Sequence, residues 1–319
     1  PIEFMVAVTN NQGGSYRTEI YVHEARMAGA VIHTPCVNKS GYETMLYGTD
    51  IYLGFMHLLG LDSKLSQFIA SERGRNGIYK SLEDFINRVP MGIENVKVLI
   101  FIGAFRFTGK TKNQLLVQVS LLMNNFKPEN RGLMLIREPA KEFRLPVLER
   151  SVFEDAFDEI ELLNFPISCT VFDLLQTRHR GDVMVRDLLK CHKKQVRMLA
   201  YLVSTKQVPT KRGNMYFGTW IDYEGAYFDT AHFPDSLAQH PFQGGGCYLL
   251  LGTVEIDYHF PTITISKMAK MPFIPDPRYM DSDKWFTTQH QIKQDVSSTH
   301  RKPYPQEHEI NLPRHRMKF

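Results

Sequence analysis

Up to about residue 187 the apolar positions recur mostly at helical spacing, as in Leu65, Phe68 and Ile69 or in Val96, Leu99 and Ile100, which predicts short helices joined by tight turns. Ser81-Leu82-Glu83-Asp84 has the form of a capping box, a serine followed three residues later by an acid, and opens a helix through Phe85 and Arg88. Pro90 and Gly92 stop that helix. From about residue 196 the period falls to two. Alternating apolar and β-branched runs predict strands over 196–203, 215–221, 226–233, 246–254 and 262–268. A short polar segment, 234–240, separates the third strand from the fourth, and Gly244-Gly245-Gly246 leads into the fourth.

Five strands with a helical segment between the third and fourth match a small oligonucleotide-binding (OB-fold) barrel. Beyond residue 272 the chain turns Pro-, His- and charge-rich with few aliphatic residues, which predicts a disordered tail. At 319 residues and 43% hydrophobic content, two or more domains with real cores are expected. The start, Pro1-Ile2-Glu3-Phe4-Met5, lacks an initiator Met and a signal segment, and reads as the downstream part of something longer. No apolar run approaches the roughly 20 residues of a membrane-spanning helix. Cys36, Cys169, Cys191 and Cys247 are far apart and form no Cys-x-x-Cys pair, so neither a zinc site nor a disulfide framework is implied, and a cytoplasmic setting is expected.

The net charge of +4 matters through its distribution. Residues 188–221 hold Lys190, Lys193, Lys194, Arg197, Lys206, Lys211 and Arg212 and no acid, interleaved with Tyr201, Tyr216, Phe217 and Trp220. Cations for phosphates beside rings for bases are the equipment of sequence-tolerant single-strand binders. The competing reading is a solvated hairpin whose rings face a core. Upstream, Leu58-Leu59-Gly60-Leu61-Asp62 precedes a predicted helix, so a tight turn delivers backbone N–H groups at a helix N-terminus, as in a helix-hairpin-helix that grips phosphate. Such hairpins usually carry Gly at both hinges; here the second is Asp62. A second hairpin runs from Leu99 through Gly103 to Phe105, followed by Gly109-Lys110-Thr111-Lys112. Its Gly-Lys-Thr is not a P-loop: Gly103 lies one position too far upstream and the preceding segment is patterned as a helix. Glu154, Asp158 and Glu161 fall on one polar helix face and are expected to be solvated, with no metal role. Neither the histidines nor the Ser, His and Asp residues suggest a metal site or a triad. The expected fold class is therefore α+β multidomain: a helical N-terminal half with helix-hairpin-helix elements, then a five-stranded OB-fold β-barrel and a flexible tail.

Several segments in order resemble one family, the bacterial DNA polymerase III α subunit, in its C-terminal part. They are Pro1-Ile2-Glu3-Phe4-Met5, Glu24-Ala25-Arg26 to Gly29, Thr34-Pro35-Cys36-Val37-Asn38-Lys39-Ser40, Gly54 to Leu61, Ile69 to Arg73, Ser81 to Arg88, Leu99 to Phe105, Glu159-Ile160-Glu161-Leu162-Leu163-Asn164-Phe165-Pro166, and Thr210-Lys211-Arg212-Gly213-Asn214-Met215. The resemblance implies the end of a fingers domain over 1–45, a helix-hairpin-helix DNA-binding region over 46–125, a helical connector over 126–190, the OB-fold over 191–270 and the tail over 271–319. It implies that this piece holds primed template DNA for a DNA-directed DNA polymerase. It also implies that the catalytic aspartates and their Mg²⁺ belong to a palm upstream, so no catalytic residue, metal or cofactor is expected here. The implied partners are duplex and single-stranded DNA, the sliding clamp and other replisome subunits. The DNA-contacting residues expected are Gly60, Lys64, Arg73, Gly103, Lys110, Lys112, Lys206, Lys211, Arg212, Tyr216 and Trp220. Departures from the pattern are Arg106 in place of an Asp, Asp62 in place of a hinge glycine, and only Phe143 left of a clamp-binding peptide around Lys141-Glu142-Phe143, which leaves the 312–319 segment as another candidate. The rival reading is a stand-alone, non-enzymatic single-stranded nucleic-acid-binding protein; an error-prone paralogue of the polymerase is a third.

Overall fold

The computed structural model describes residues 1–11, 13–125, 151 and 153–279. Helices α1 (Ile2–Asn10) and α2 (Thr18–Met27) lead into a small sheet of β1 (Val31–His33), β2 (Met45–Tyr47) and β3 (Asp50–Tyr52), in the order β1-β3-β2. Helical spacing does not anticipate this sheet, because three-residue strands are too short to display a period of two. Its inner residues Ile32, Leu46 and Ile51 join the core of the helices that follow: α3 (Ser63–Asn76), α4 (Leu82–Arg88), α5 (Ile93–Phe101) and α6 (Lys112–Asn125). Ser81 caps α4 as the capping-box pattern predicts, its Oγ accepting from the Asp84 amide at 3.1 Å, while the Asp84 carboxylate reaches back one residue past the cap to accept from the Lys80 amide at 2.9 Å. Helix α7 (Glu154–Leu163) closes the same core through Leu163, with Phe165 just beyond it.

The polar face expected on α7 is only partly solvated. Asp158 and its neighbour Glu159 are each 1% exposed. Burying a carboxylate is costly unless it is paired or hydrogen bonded, and both are. Lys112 Nζ reaches Asp158 at 2.5 Å, and one Glu159 oxygen accepts from the amides of Ile167 and Ser168 and from the Ser168 hydroxyl.

Strands β4 (Gln195–Thr210), β5 (Gly213–Asp222), β6 (Tyr227–His232), β7 (Cys247–Asp257) and β8 (Phe260–Lys270) close a barrel in the order β4-β5-β6-β8-β7, with β6 and β8 the parallel pair. Helix α8 (Pro234–Gln239) lies between the third and fourth of these strands. This is the expected OB-fold, and every expected strand is present: the first, second and fifth are extended at both ends, the fourth at its C-terminal end, and the third is one residue shorter at each end. Met198, Trp220, Phe228, Tyr248, Leu250 and Ile263 fill its interior. A bulge between Leu202 and Ser204 shifts the parity of β4, so that Lys206 lies opposite Phe217 on the outer face.

Helix α2 is fastened to the barrel by polar contacts. Arg17 pairs with Glu19 at 2.6 Å and donates to the Leu202 carbonyl, the Tyr201 hydroxyl donates to Glu19 at 2.8 Å, and His23 Nε2 meets the Gly225 carbonyl at 3.0 Å. Burial raises the Glu19 carboxyl and the Tyr201 phenol above their ordinary values and lowers the His23 imidazole, so each is held in its neutral form more strongly than in water. Residues 271–274, assigned by composition to the tail, are tethered: Met271 N donates to the Cys247 carbonyl and Ile274 N to the Leu174 carbonyl. The chain divides into two compact units, 1–274 and 275–319. Of the second, a short 3-10 turn, Pro277–Tyr279, is described, with Arg278 forked on Asp276 at 2.7 and 3.1 Å. The connector residues 126–150, the Lys141-Glu142-Phe143 segment and residues 280–319 lie outside the described residues.

Candidate nucleic-acid interface

The first hairpin is occupied by its own acid. Gly60 takes φ +80°, the left-handed turn that glycine meets without a Cβ penalty, and α3 begins three residues on. Asp62 is the N-cap, its carboxylate accepting from the Lys64 amide at 2.8 Å and the Leu65 amide at 3.3 Å. Those are amides a phosphate would use, and a negative charge already holds them. Lys64 is exposed at this turn. Arg73 is not available to DNA as expected: its guanidinium donates inward to the carbonyls of Val37, at 2.5 Å, and Ser40, at 2.8 Å. It satisfies the turn between β1 and β2, a demand from buried carbonyls that its helical spacing does not reveal.

The second hairpin follows α5, with Gly103 buried at φ +78° and the Ala104 amide folding back to the Leu99 carbonyl. A helix where a P-loop needs a strand agrees with the exclusion of that motif. A Cβ on Gly103 would lie 2.6 Å from the Arg106 guanidinium carbon, so the missing side chain makes room for Arg106 to reach Thr34 and approach the buried Glu159 at 4.0 Å. Lys112, expected to contact phosphate, is instead a buried cation held 2.5 Å from both Asp155 and Asp158. The reason is α7, whose acids the fold brings from more than forty residues away in sequence. Lys110 remains exposed, its ammonium 3.0 Å from the Gln118 side chain.

The same fold-level pairing thins the basic run before the barrel. Lys190 pairs with Asp187 at 2.8 Å, Lys193 with Glu255, and Arg197 forks on Asp182 at 3.1 Å. Lys206, Lys211 and Arg212 are exposed on the β4–β5 hairpin and make no ion pair among the described residues. Trp220 is not on the surface. It is fully buried, donating from Nε1 to the Thr230 hydroxyl at 2.7 Å and packed near His232, Phe242 and Tyr248. Burial lowers the His232 imidazole to about 4. Tyr216 shares the Trp220 parity and is half-buried, its hydroxyl donating to Gln207 at 2.9 Å. The outer face of β5 carries Met215, Phe217 and Thr219, and Phe217 is 41% exposed with Lys206 across from it. Phe217, noted among the rings of the basic run but not among the expected contacts, is the candidate that the structure adds, and parity counted from the Gly213 turn is the signal that finds it.

Among the described residues no three His, Cys, Asp or Glu side chains gather to hold a metal ion, and no helix is long and apolar enough to cross a membrane.

Comparison with known proteins bears on both halves. The family described as a helix-hairpin-helix motif matches residues 29–115. The DNA polymerase III subunit alpha of Treponema pallidum is 26% identical over 295 residues, covering 85% of this chain and 25% of that protein. The error-prone DNA polymerase of Mycobacterium tuberculosis is 31% identical over 119 residues, 36% of this chain and 11% of that one. The chain thus spans a quarter or less of the length of the curated relatives it matches. Among solved structures, the second OB-fold domain of replication protein A from Methanococcus maripaludis is 17% identical, covers 26% of this chain and 87% of that one, and superposes with a TM-score of 0.19. The barrel assignment rests on strand order and register. The resemblance to the DNA polymerase III α subunit is borne out.

Proposed function

We propose that this chain is the DNA-holding C-terminal portion of a replicative DNA-directed DNA polymerase, acting in the cytoplasm on primed template DNA. The observation that carries the reading is that one continuous similarity to the polymerase subunit runs over 85% of the chain, through the helical half and the barrel together. A borrowed barrel or a borrowed hairpin would match over one half only. Template-dependent nucleotidyl transfer, with its aspartates and Mg²⁺, would reside in the portion of those longer relatives that this sequence does not span. The sliding clamp and other replisome subunits are proposed partners on the same ground.

Within this reading the helical half and the barrel divide the work. Lys64 and Lys110, both exposed at hairpin turns, position duplex phosphates, while Lys206, Lys211, Arg212 and Phe217 face unpaired template. The test is fluorescence anisotropy of the chain with a primed template, a duplex and a single strand across a salt series. Salt-sensitive binding that prefers the primed junction is expected. Binding to the single strand alone would remove the duplex role and favour a stand-alone single-strand binder. Replacing Lys211 and Arg212 with Ala is expected to weaken single-strand binding and flatten its log–log salt slope by about 1.4, at roughly 0.7 per lost phosphate contact. An unchanged slope would clear the hairpin of any part in binding.

A further inference from the structure

The start of α3 is fixed without the Asp62 carboxylate. Gly60 supplies the left-handed turn, and the Leu59 amide donates to the Leu162 carbonyl at 2.8 Å. The main-chain carbonyl of Asp62 accepts from the Ser66 amide at 3.0 Å and from the Ser66 hydroxyl at 2.9 Å. Its backbone, at φ −64° and ψ 140°, is a conformation that any residue adopts. The carboxylate itself is exposed and belongs to no ion pair among the described residues.

A helix start wants an acceptor at this position, and serine or asparagine supplies one as well as aspartate does. What the acid adds is a negative charge on the amides of Lys64 and Leu65, 2.8 and 3.3 Å away. Its oxygen stands where those donors would hold an oxygen of phosphate. The second hairpin repeats the arrangement with different chemistry, its Lys112 ammonium held by Asp155 and Asp158. Both anion-holding features of the helical half, a pair of amides and an ammonium, are thus filled by carboxylates of the chain itself. They differ in place: Lys112 and Asp158 are buried, whereas Asp62 lies at the surface beside the exposed Lys64. A phosphate drawn to Lys64 meets a like charge two residues away.

We propose that Asp62 is a specificity-determining residue: its carboxylate stands in for phosphate at the first hairpin and lowers the affinity for duplex DNA relative to single strand. A primed junction engages both halves of the chain and a plain duplex only one, so a weak duplex hold makes binding depend on unpaired strand as well. The inference rests on the duplex reading of the helical half, and the test separates the two.

The full chain and its variants are titrated by anisotropy against a duplex and against an oligothymidylate strand. Asp62→Asn keeps an N-cap of equal quality and removes the charge, and duplex affinity is expected to rise about two- to five-fold, the worth of one charge at a helix N-terminus. Asp62→Gly also clears both amides and should gain more than Asn, reaching about tenfold, the worth of one hydrogen bond to a charged group. Single-strand affinity should hold in both. Asp235→Asn makes the same change of net charge at the exposed start of α8 and should leave duplex affinity where it was. Unchanged duplex affinity in the Asp62 variants overturns the proposal, and so does a rise that Asp235→Asn matches. If the Asp62 variants bind duplex as the parent does while Lys64→Ala with Lys110→Ala loses affinity, the role of Asp62 fails and the duplex reading stands. If none of these changes moves duplex affinity, both fail. The expected result is a gain, which a loss of folding cannot imitate, and Asp62→Asn decides alone should the glycine variant not fold.

Discussion

Phe217 and Trp220 lie three positions apart on one strand and have opposite roles. Trp220 fills the barrel and gives its one polar hydrogen to Thr230, whereas Phe217 stands on the outer face beside Lys206. Trp220→Ala is expected to cost about 3–5 kcal/mol, read from the urea midpoint, as for other large-to-small changes at buried aromatics. Phe217→Ala should leave that midpoint nearly unchanged and weaken single-strand binding at least about five-fold, the low end of one base stack. His232, below Trp220, makes a pH prediction. Its buried ring resists protonation down to about 4, while the unfolded chain takes up a proton near the ordinary value of 6.5. The unfolded state therefore binds more protons between those values, and stability falls as pH is lowered through this window. The full loss is about 3 kcal/mol. Urea titrations between pH 7 and 4 check it, and His232→Gln should flatten the dependence.

At the scale of elements, spacing revealed what is periodic and long. All five barrel strands, the capping box at α4 and the helix before β7 were legible because each rests on a local rule of period, cap or turn. The sheet of β1, β2 and β3 was not, since three residues cannot show a period. Lys112 of the second hairpin was misjudged for a related reason: α7, the element that neutralises it, lies far along the chain. Lys112 is where this can be measured. Lys112→Met leaves the Asp158 carboxylate buried beside a thioether, and a loss of about 3–5 kcal/mol in chemical denaturation is expected. Removing the acid as well, in Lys112→Met with Asp158→Leu, should recover most of it, because replacing both partners by apolar groups costs little. A double variant as unstable as the single one would show that the ion pair is not what joins α6 to α7.

For the whole molecule, the consequence lies in the polar clasp of Arg17, Glu19 and His23 on Tyr201, Leu202 and Gly225. Two weak sites held at one separation do not bind as two independent weak sites. Once a strand is held by one of them, it meets the other at an effective local concentration set by geometry, of millimolar order even for sites joined by short flexible linkers. A clasp that fixes the separation makes that concentration high for ligands whose two contact regions match the spacing, and nearly zero for those that do not. Under the proposed division of work, the fastening of α2 to the barrel works as a ruler. It would select by the distance between two features of a ligand, and neither the helical half nor the barrel would register that distance if measured alone.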